Sequence, residues 1–156
     1  MLLNQLGRLL KRMGKLDEAR PLLEEALQAR RATLGDRHPS TLISLNNMAM
    51  LLKAMGKPDE ARPLYEEDLQ ASRETLGNRH PSTLISINNM ATLLQRMGKP
   101  DEARPLYEED LQASRETLGD RRTRTLASIG NLGNLLMDMG KLDEARPLLE
   151  EALQAR

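Results

Sequence analysis

The sequence predicts an all-α fold, an α-solenoid built from antiparallel helix–turn–helix hairpins. Two observations predict it: the composition favours helices, and each 42-residue internal repeat carries two helical apolar stripes. Among 156 residues there are 31 leucines and 15 alanines, while valine is absent and two tyrosines are the only aromatic residues. Leucine and alanine are strong helix formers, whereas strands favour β-branched and aromatic side chains. The composition therefore argues against sandwiches, barrels, propellers and doubly wound sheets.

The internal repeat has a period of 42 residues and needs no gaps. The string Gly-Lys-x-Asp-Glu-Ala-Arg-Pro-Leu begins at Gly14, Gly56, Gly98 and Gly140. Residues 41–82 match residues 83–124 at 34 of 42 positions, and residues 15–30 are identical to residues 141–156 at all 16. This fidelity indicates a repeat protein. We expect one array over residues 1–156, with a shortened first and last repeat, at about 1–38, 39–80, 81–122 and 123–156.

The first helix of each repeat is clearest in the second repeat. Apolar residues recur there at steps of three and four from Leu42 to Met55, which is the spacing of one helix face. Pro39 suits the first turn, where a helix needs no backbone N–H. Gly56 is expected to end this helix, since glycine accepts the left-handed conformation common at helix C-termini.

The second helix follows after a tight turn. Asp59 and Glu60 would lie in its first turn, where carboxylates interact favourably with the helix dipole. Its apolar stripe runs from Ala61 to Leu76. Pro63 lies so close to the start that about one backbone hydrogen bond is lost, and we expect a slight bend but no break. One such hairpin cannot bury both stripes, whereas stacked hairpins can.

Small and large residues occupy fixed places in the two helices of every repeat. A small residue stands in the middle of the first helix: Gly7, Ala49, Ala91 and Gly133. The second helix carries an alanine: Ala19, Ala61, Ala103 and Ala145. A large apolar residue follows one turn later: Leu23, Tyr65, Tyr107 and Leu149.

This pattern resembles the tetratricopeptide repeat over the whole chain, and most closely the 42-residue variant found in kinesin light chains. A period of 42 also occurs in propellers, armadillo and HEAT arrays. Composition excludes the propeller, and the Gly-Lys-x-Asp-Glu-Ala turn with the small mid-helix residue argues against the other two. The resemblance implies four stacked hairpins in a right-handed superhelix, with the first helices lining a concave groove.

The inner repeats depart from the family pattern in the second helix. The family has a small residue late in this helix, and the outer repeats keep it as Ala26 and Ala152, but the inner repeats carry Asp68 and Asp110. We expect these carboxylates to face solvent because the repeat is lengthened. The alternative is a buried or half-buried carboxylate that pairs with an arginine of the adjoining repeat.

The sequence offers no constellation for catalysis, and we expect no enzyme, no cofactor and no metal. The chain has no cysteine, which removes thiol chemistry and cysteine-ligated metals. His38 and His80 precede proline at equivalent loop positions, but Arg122 stands there in the next repeat, so we expect them to shape the start of a helix. Adjacent glutamates such as Glu66 and Glu67 do not face each other on a helix.

Charge and hydropathy narrow the class of partner. The 23 basic and 23 acidic residues balance, so the positive excess typical of nucleic-acid binding is missing. The longest apolar run, residues 48–52, is far shorter than the roughly 20 residues needed to cross a bilayer. We expect no nucleic-acid partner, no membrane contact and a cytoplasmic location.

A peptide-binding groove is the leading functional prediction. The resemblance implies that first-helix residues off the core stripe point into it: Asn4, Arg8, Lys11, Arg12, Asn46, Asn47, Met50, Lys53, Asn88, Asn89, Thr92, Arg96, Asn131 and Asn134. Asparagine amides both donate and accept, so they can bracket the backbone of an extended peptide. The cations concentrate in the N-terminal half, which favours an acidic segment. The alternative is that near-identical repeats simply copied their asparagines.

Self-association is the second functional prediction. The first helix begins at once with Leu2, Leu3 and Leu6, and the last stops before the final Thr-Leu-Gly of the other repeats. Solenoids usually end in polar capping helices, and neither end of this sequence has one. We therefore expect the isolated chain to associate head to tail, a heterologous contact that can build rings or filaments.

Overall fold

A computed structural model of the chain describes residues 2–119 and 123–155, and these residues form eight α-helices and no strand. The helices are α1 (Leu2–Arg12), α2 (Leu16–Leu34), α3 (Pro39–Ala54), α4 (Pro58–Leu76), α5 (Pro81–Arg96), α6 (Pro100–Leu118), α7 (Thr123–Asp138) and α8 (Leu142–Gln154). The predicted all-α class and the four hairpins are confirmed for this part of the chain. Arg122 lies outside the described residues.

Two compact units divide the chain, an N-terminal unit of residues 1–75 and a C-terminal unit of residues 76–156. The N-terminal unit contains the first hairpin, α1–α2, and most of the second, α3–α4. The C-terminal unit contains the third hairpin, α5–α6, and the fourth, α7–α8. The predicted boundaries of the four repeats fall close to the loops between hairpins and remain a prediction.

The turn inside each hairpin is closed by a glycine with positive φ. In the second hairpin Gly56 has φ +74°, and the backbone N–H of Lys57 donates to the carbonyl of Leu52 at 2.9 Å. This bond satisfies a carbonyl that the end of the helix leaves free. The prediction that Gly56 ends the helix is confirmed. The following helix runs unbroken through Pro63, as predicted.

The two histidines serve as helix caps. His38 Nδ1 accepts a hydrogen bond from the backbone N–H of Ser40 at 3.1 Å, and His80 does the same for Ser82 at 3.1 Å. Each cap satisfies one of the free N–H groups in the first turn of a first helix. The prediction that these histidines shape a helix start is confirmed.

Each hairpin is held together by the small residue and the large residue that the sequence identified. Leu23 is fully buried, and a Cβ added to Gly7 would lie 2.5 Å from Leu23 Cδ2. Only glycine therefore lets α1 approach α2 this closely around the branched leucine. In the second hairpin the equivalent residues are Ala49 and Tyr65, which are both buried.

Ion pairs join successive second helices within each unit. Arg31 pairs with Glu67 at 2.6 Å in the N-terminal unit, and the equivalent Arg115 pairs with Glu151 at 2.7 Å in the C-terminal unit. The hydrogen bonds that Arg31 donates to Glu67 raise the pKa of Arg31. All four side chains are about one third exposed, so each pair contributes on the order of 1 kcal/mol or less.

The expectation that Asp68 and Asp110 face solvent is wrong, because both are buried. The alternative holds for Asp110: it accepts from Arg124 Nη2 at 3.0 Å and from Ser128 Oγ at 2.5 Å. Arg124 and Ser128 lie in α7, so this carboxylate links α6 to the first helix of the next hairpin. In the first hairpin an alanine takes the place of this aspartate. Arg30 Nη1 there donates to Ser44 Oγ at 3.3 Å.

Replacing the buried carboxylate should destabilise the C-terminal unit. We expect Asp110→Ala to lower the free energy of unfolding by about 1–3 kcal/mol, because a partly buried guanidinium loses its acceptor. Chemical denaturation followed by circular dichroism measures the change. Ser40 and Ser82 are the equivalents of Arg124 in earlier repeats. Asp110→Ala should therefore cost less stability in a protein that already carries Arg124→Ser. Equal stability of Asp110→Ala and the parent protein would contradict this role.

Candidate functional site

The fourteen predicted site residues lie on the first helices of the hairpins. Eight belong to α1 and α3 in the N-terminal unit, and six belong to α5 and α7 in the C-terminal unit. All except Asn4 are half-buried or exposed. The structure thus provides two polar first-helix faces, one on each unit, and these are described separately.

Five of the predicted residues surround one depression on the N-terminal unit. The depression has a volume of about 160 Å³ and is lined by Arg8, Lys11, Arg12, Leu23, Asn47 and Met50. Leu23 is buried in the hairpin and forms an apolar part of the lining. We call this feature the α1–α3 depression. It brings three cations, one amide and two apolar side chains together.

The three cations of the α1–α3 depression lie close together on α1. Among the described residues, no carboxylate forms an ion pair with Arg8, Lys11 or Arg12. Burial lowers the pKa of Lys11, and the charges of Arg8 and Arg12 lower it further. The site therefore concentrates positive charge that the fold itself leaves uncompensated.

Asn4 does not contribute to this face as predicted. Its side chain is only 6% exposed, and its Nδ2 donates to Ser44 Oγ at 3.0 Å. Asn4 therefore fastens α1 to α3, which corrects the expectation that it points into a groove. Asn47 is half-buried and, in the part of the chain that the structure describes, its amide makes no hydrogen bond.

Two asparagines of the C-terminal unit bind each other. Asn131 Nδ2 on α7 donates to Asn88 Oδ1 on α5 at 3.0 Å. Both asparagines were predicted to point toward a bound peptide, and this bond between them was not predicted. Part of the hydrogen-bonding capacity of this pair is already used between hairpins.

A second polar network on the C-terminal unit contains Tyr107, the large residue that the sequence predicts to lie between the two helices of the third hairpin. Tyr107 OH donates to Gln95 Oε1 at 3.0 Å and lies 3.2 Å from Thr92 Oγ1. Gln95 Nε2 in turn donates to Asp138 Oδ2 on α7 at 2.7 Å. Burial raises the pKa of Tyr107, while its hydrogen bond with Thr92 acts in the opposite direction. The phenol thus reaches the polar face of α5 that carries Thr92 and Gln95.

The first hairpin lacks this phenol. Leu23 occupies the position of Tyr107, two repeats earlier, and carries no hydroxyl. Thr92 and Gln95, which contact the phenol on α5, correspond to Arg8 and Lys11 on α1. The exchange of tyrosine for leucine is the sequence signal that could have located the α1–α3 depression, because the shorter side chain leaves space where tyrosine fills it.

Larger depressions occur on the second helices, but their cations are paired. One of about 460 Å³ includes Arg37, which pairs with Glu74 at 3.0 Å. Another of about 570 Å³ includes Arg79, which pairs with Glu116 at 2.8 Å. Because the cation in each of these depressions already has a glutamate partner, they offer an acidic guest less than the smaller α1–α3 depression does.

A metal-binding cluster and a membrane-spanning helix are both missing from residues 2–119 and 123–155. No group of three or more histidine, cysteine, aspartate or glutamate side chains there could hold a metal ion. None of the helices in these ranges is long and apolar enough to cross a membrane.

Solved structures show the same fold. Crystal structures of nearly identical TPR-like repeats from a Podosopora anserina protein assigned as a kinesin light chain, one of them a single-substitution variant, match with TM-scores of 0.89 and 32% identity. Each covers 97% of this chain and 72% of the other. BtubC (BKLC) from P. vanneervenii matches with a TM-score of 0.90 and 22% identity, over 99% of this chain and 61% of that one.

These matches confirm the predicted α-solenoid, while the handedness of its superhelix remains a prediction. No match was found among curated protein sequences. The sequence profile of the tetratricopeptide repeat matches residues 1–74, 44–109 and 82–156. These segments together span the whole chain, and the chain belongs to the tetratricopeptide repeat family.

Proposed function

We propose that the chain is a non-catalytic scaffold that binds an extended, acidic peptide segment through its first-helix faces. Tetratricopeptide repeats generally mediate protein–protein interaction. The observation that carries the proposal for this chain is the α1–α3 depression, where cations without acidic partners stand beside an available amide. An acidic peptide segment supplies negative charge that pairs with these cations.

The distribution of charge along the first helices gives the guest a preferred place. The three cations of α1 are Arg8, Lys11 and Arg12. The equivalent residues of α7 are Asn134, Met137 and Asp138. Helices α3 and α5 each have one cation at these positions, Lys53 and Arg96. Acidic residues of the guest should therefore be held on the N-terminal unit, where the amide of Asn47 can bracket its backbone.

Removing groove asparagines should weaken peptide binding unequally. We expect Asn47→Ala to reduce the affinity for an extended acidic peptide about tenfold, or about 1.4 kcal/mol. Asn131→Ala should reduce it less, since that amide already donates to Asn88. Calorimetric titration measures both, with Gln28→Ala on the exposed face of α2 as the matched control. Equal affinities of the parent protein, Asn47→Ala, Asn89→Ala and Asn131→Ala would sink the peptide-binding proposal.

A second candidate function is head-to-tail assembly, favoured by apolar side chains exposed on the outermost helices. Leu153 on α8 is 66% exposed, whereas its equivalent Leu27 is 8% exposed beneath α3. On α1, Leu6 and Leu9 are 46% and 53% exposed. The face of α8 matches α2 in sequence, and α2 already packs against a first helix.

Charges at these surfaces complement each other as well. Arg20 pairs with Glu60 at 3.1 Å between α2 and α4, and Arg104 pairs in the same way with Glu144. The equivalent arginine on α8 is Arg146, whose side chain is 80% exposed. We propose that it pairs with Glu18 of a second copy, which occupies the position of Glu60.

Self-association of the chain should depend on these apolar and charged side chains. We expect the apparent mass in sedimentation velocity to rise with concentration, and Leu153→Glu to suppress the rise, because it places a charge in the apolar contact. Ile43→Glu, at a site 56% exposed on α3, is the control and should not. Arg146→Glu should weaken assembly, and adding Glu18→Arg should restore it. A parent protein that stays monomeric into the millimolar range would refute assembly.

A further inference from the structure

We infer that the α1–α3 depression binds a phosphate monoester, the phosphorylated serine or threonine side chain of a bound segment. This inference rests on the proposed peptide-binding function and specifies the chemistry of its guest. It follows from three features of the depression: the convergence of its cations, their lack of internal partners, and the leucine that keeps it open.

The cations converge because of their spacing on α1. Arg8 lies three residues before Lys11 and four before Arg12, and residues at these spacings are neighbours on one helix face. Asn47 and Met50 on α3 complete the wall. Two guanidinium groups, an ammonium group and an amide can thus direct N–H donors into the same space.

Among the described residues, no carboxylate pairs with any of these three cations. Arg31, Arg104 and Arg115 each bind glutamates of a neighbouring hairpin. Three like charges around one partly buried space repel each other. A ligand anion would relieve this repulsion, so the arrangement favours an occupied state.

A phosphate monoester fits this charge better than a carboxylate does. It carries close to two negative charges at neutral pH and three strong acceptor oxygens, which match three cationic donors. A side-chain carboxylate carries one charge and leaves two of the three cations uncompensated. Arginine also binds phosphate oxygens in a bidentate manner, which adds geometric selectivity.

The opening in the first hairpin depends on the leucine at position 23. In the third hairpin the phenol of Tyr107 fills the equivalent place and bonds to Thr92 and Gln95. Leu23→Tyr should therefore fill the depression while leaving all three cations in the protein. The fold accepts tyrosine at this position, as Tyr65 and Tyr107 are both buried in their hairpins.

The test compares three forms of one extended acidic peptide, which differ at a single position: serine, phosphoserine or glutamate. We expect calorimetric titration to give at least tenfold tighter binding for phosphoserine than for either of the others. In Leu23→Tyr the ratio of phosphoserine to serine affinity should fall toward one. Arg8→Gln/Lys11→Gln/Arg12→Gln should have the same effect without changing the core, and Lys99→Gln, on a turn of the C-terminal unit, should keep the parent ratio.

A second measurement uses inorganic phosphate and needs no peptide. At constant ionic strength, replacing chloride by phosphate should raise the melting temperature of the parent protein more than that of the two depression variants, whose remaining increase reports the general stabilising effect of phosphate on folded proteins. An equal increase in all three proteins, or equal affinity for the three peptides, would overturn the inference. A phosphoserine preference that survives in Leu23→Tyr would also overturn it.

The two measurements separate this inference from the proposed function. Binding of all three peptides with equal affinity supports the scaffold and rejects the phosphate site. Failure of all three peptides to bind rejects the scaffold, and the inorganic phosphate measurement then decides whether the depression still binds the anion.

Discussion

The close approach of two helices within each hairpin is the constraint on which the rest of the structure depends. In the first hairpin, α1 passes so near α2 that a Cβ on Gly7 would lie 2.5 Å from the side chain of Leu23. The small residue sets the distance between the helices, and the large residue fills the space that remains. Because this pair recurs in all four hairpins, it also sets which side chains reach the groove side of the first helices.

This constraint connects packing to function through one side chain. Where the large residue is Tyr107, its phenol crosses to the groove side and is bound by Thr92 and Gln95. Where it is Leu23, the same place stays open, and the helix above it carries Arg8 and Lys11. Ion pairs between second helices neutralise many other charges, so in the described part of a chain with no net charge, positive charge is still concentrated at the α1–α3 depression.

Features that depend on local chemistry could be predicted from the sequence. The end of α3 at Gly56 and the cap by His38 follow from the conformations and hydrogen bonds that one turn needs. Features that depend on contacts between hairpins could be predicted only as one of two alternatives, as for Asp110, or not at all, as for Asn4. The burial of Asp110 requires Arg124 from the next hairpin, and the loss of Asn4 from the groove requires Ser44, 40 residues away. Periodicity places these residues on helices but does not identify their partners.

The central claim is that the small and large residues of a hairpin are chosen together, and a double-mutant cycle on Gly7 and Leu23 tests it most directly. The free energy of unfolding would be measured for the parent protein, Gly7→Ala, Leu23→Tyr and the double variant. Gly7→Ala should destabilise the parent protein by about 1 kcal/mol, since an overpacking cost of about 1–3 kcal/mol exceeds a gain in helix propensity of about 0.5–1 kcal/mol. When Leu23→Tyr is already present, Gly7→Ala should be neutral or stabilising, because the double variant then has the same pair as Ala49 and Tyr65 in the second hairpin. Additive effects of the two substitutions would contradict the claim.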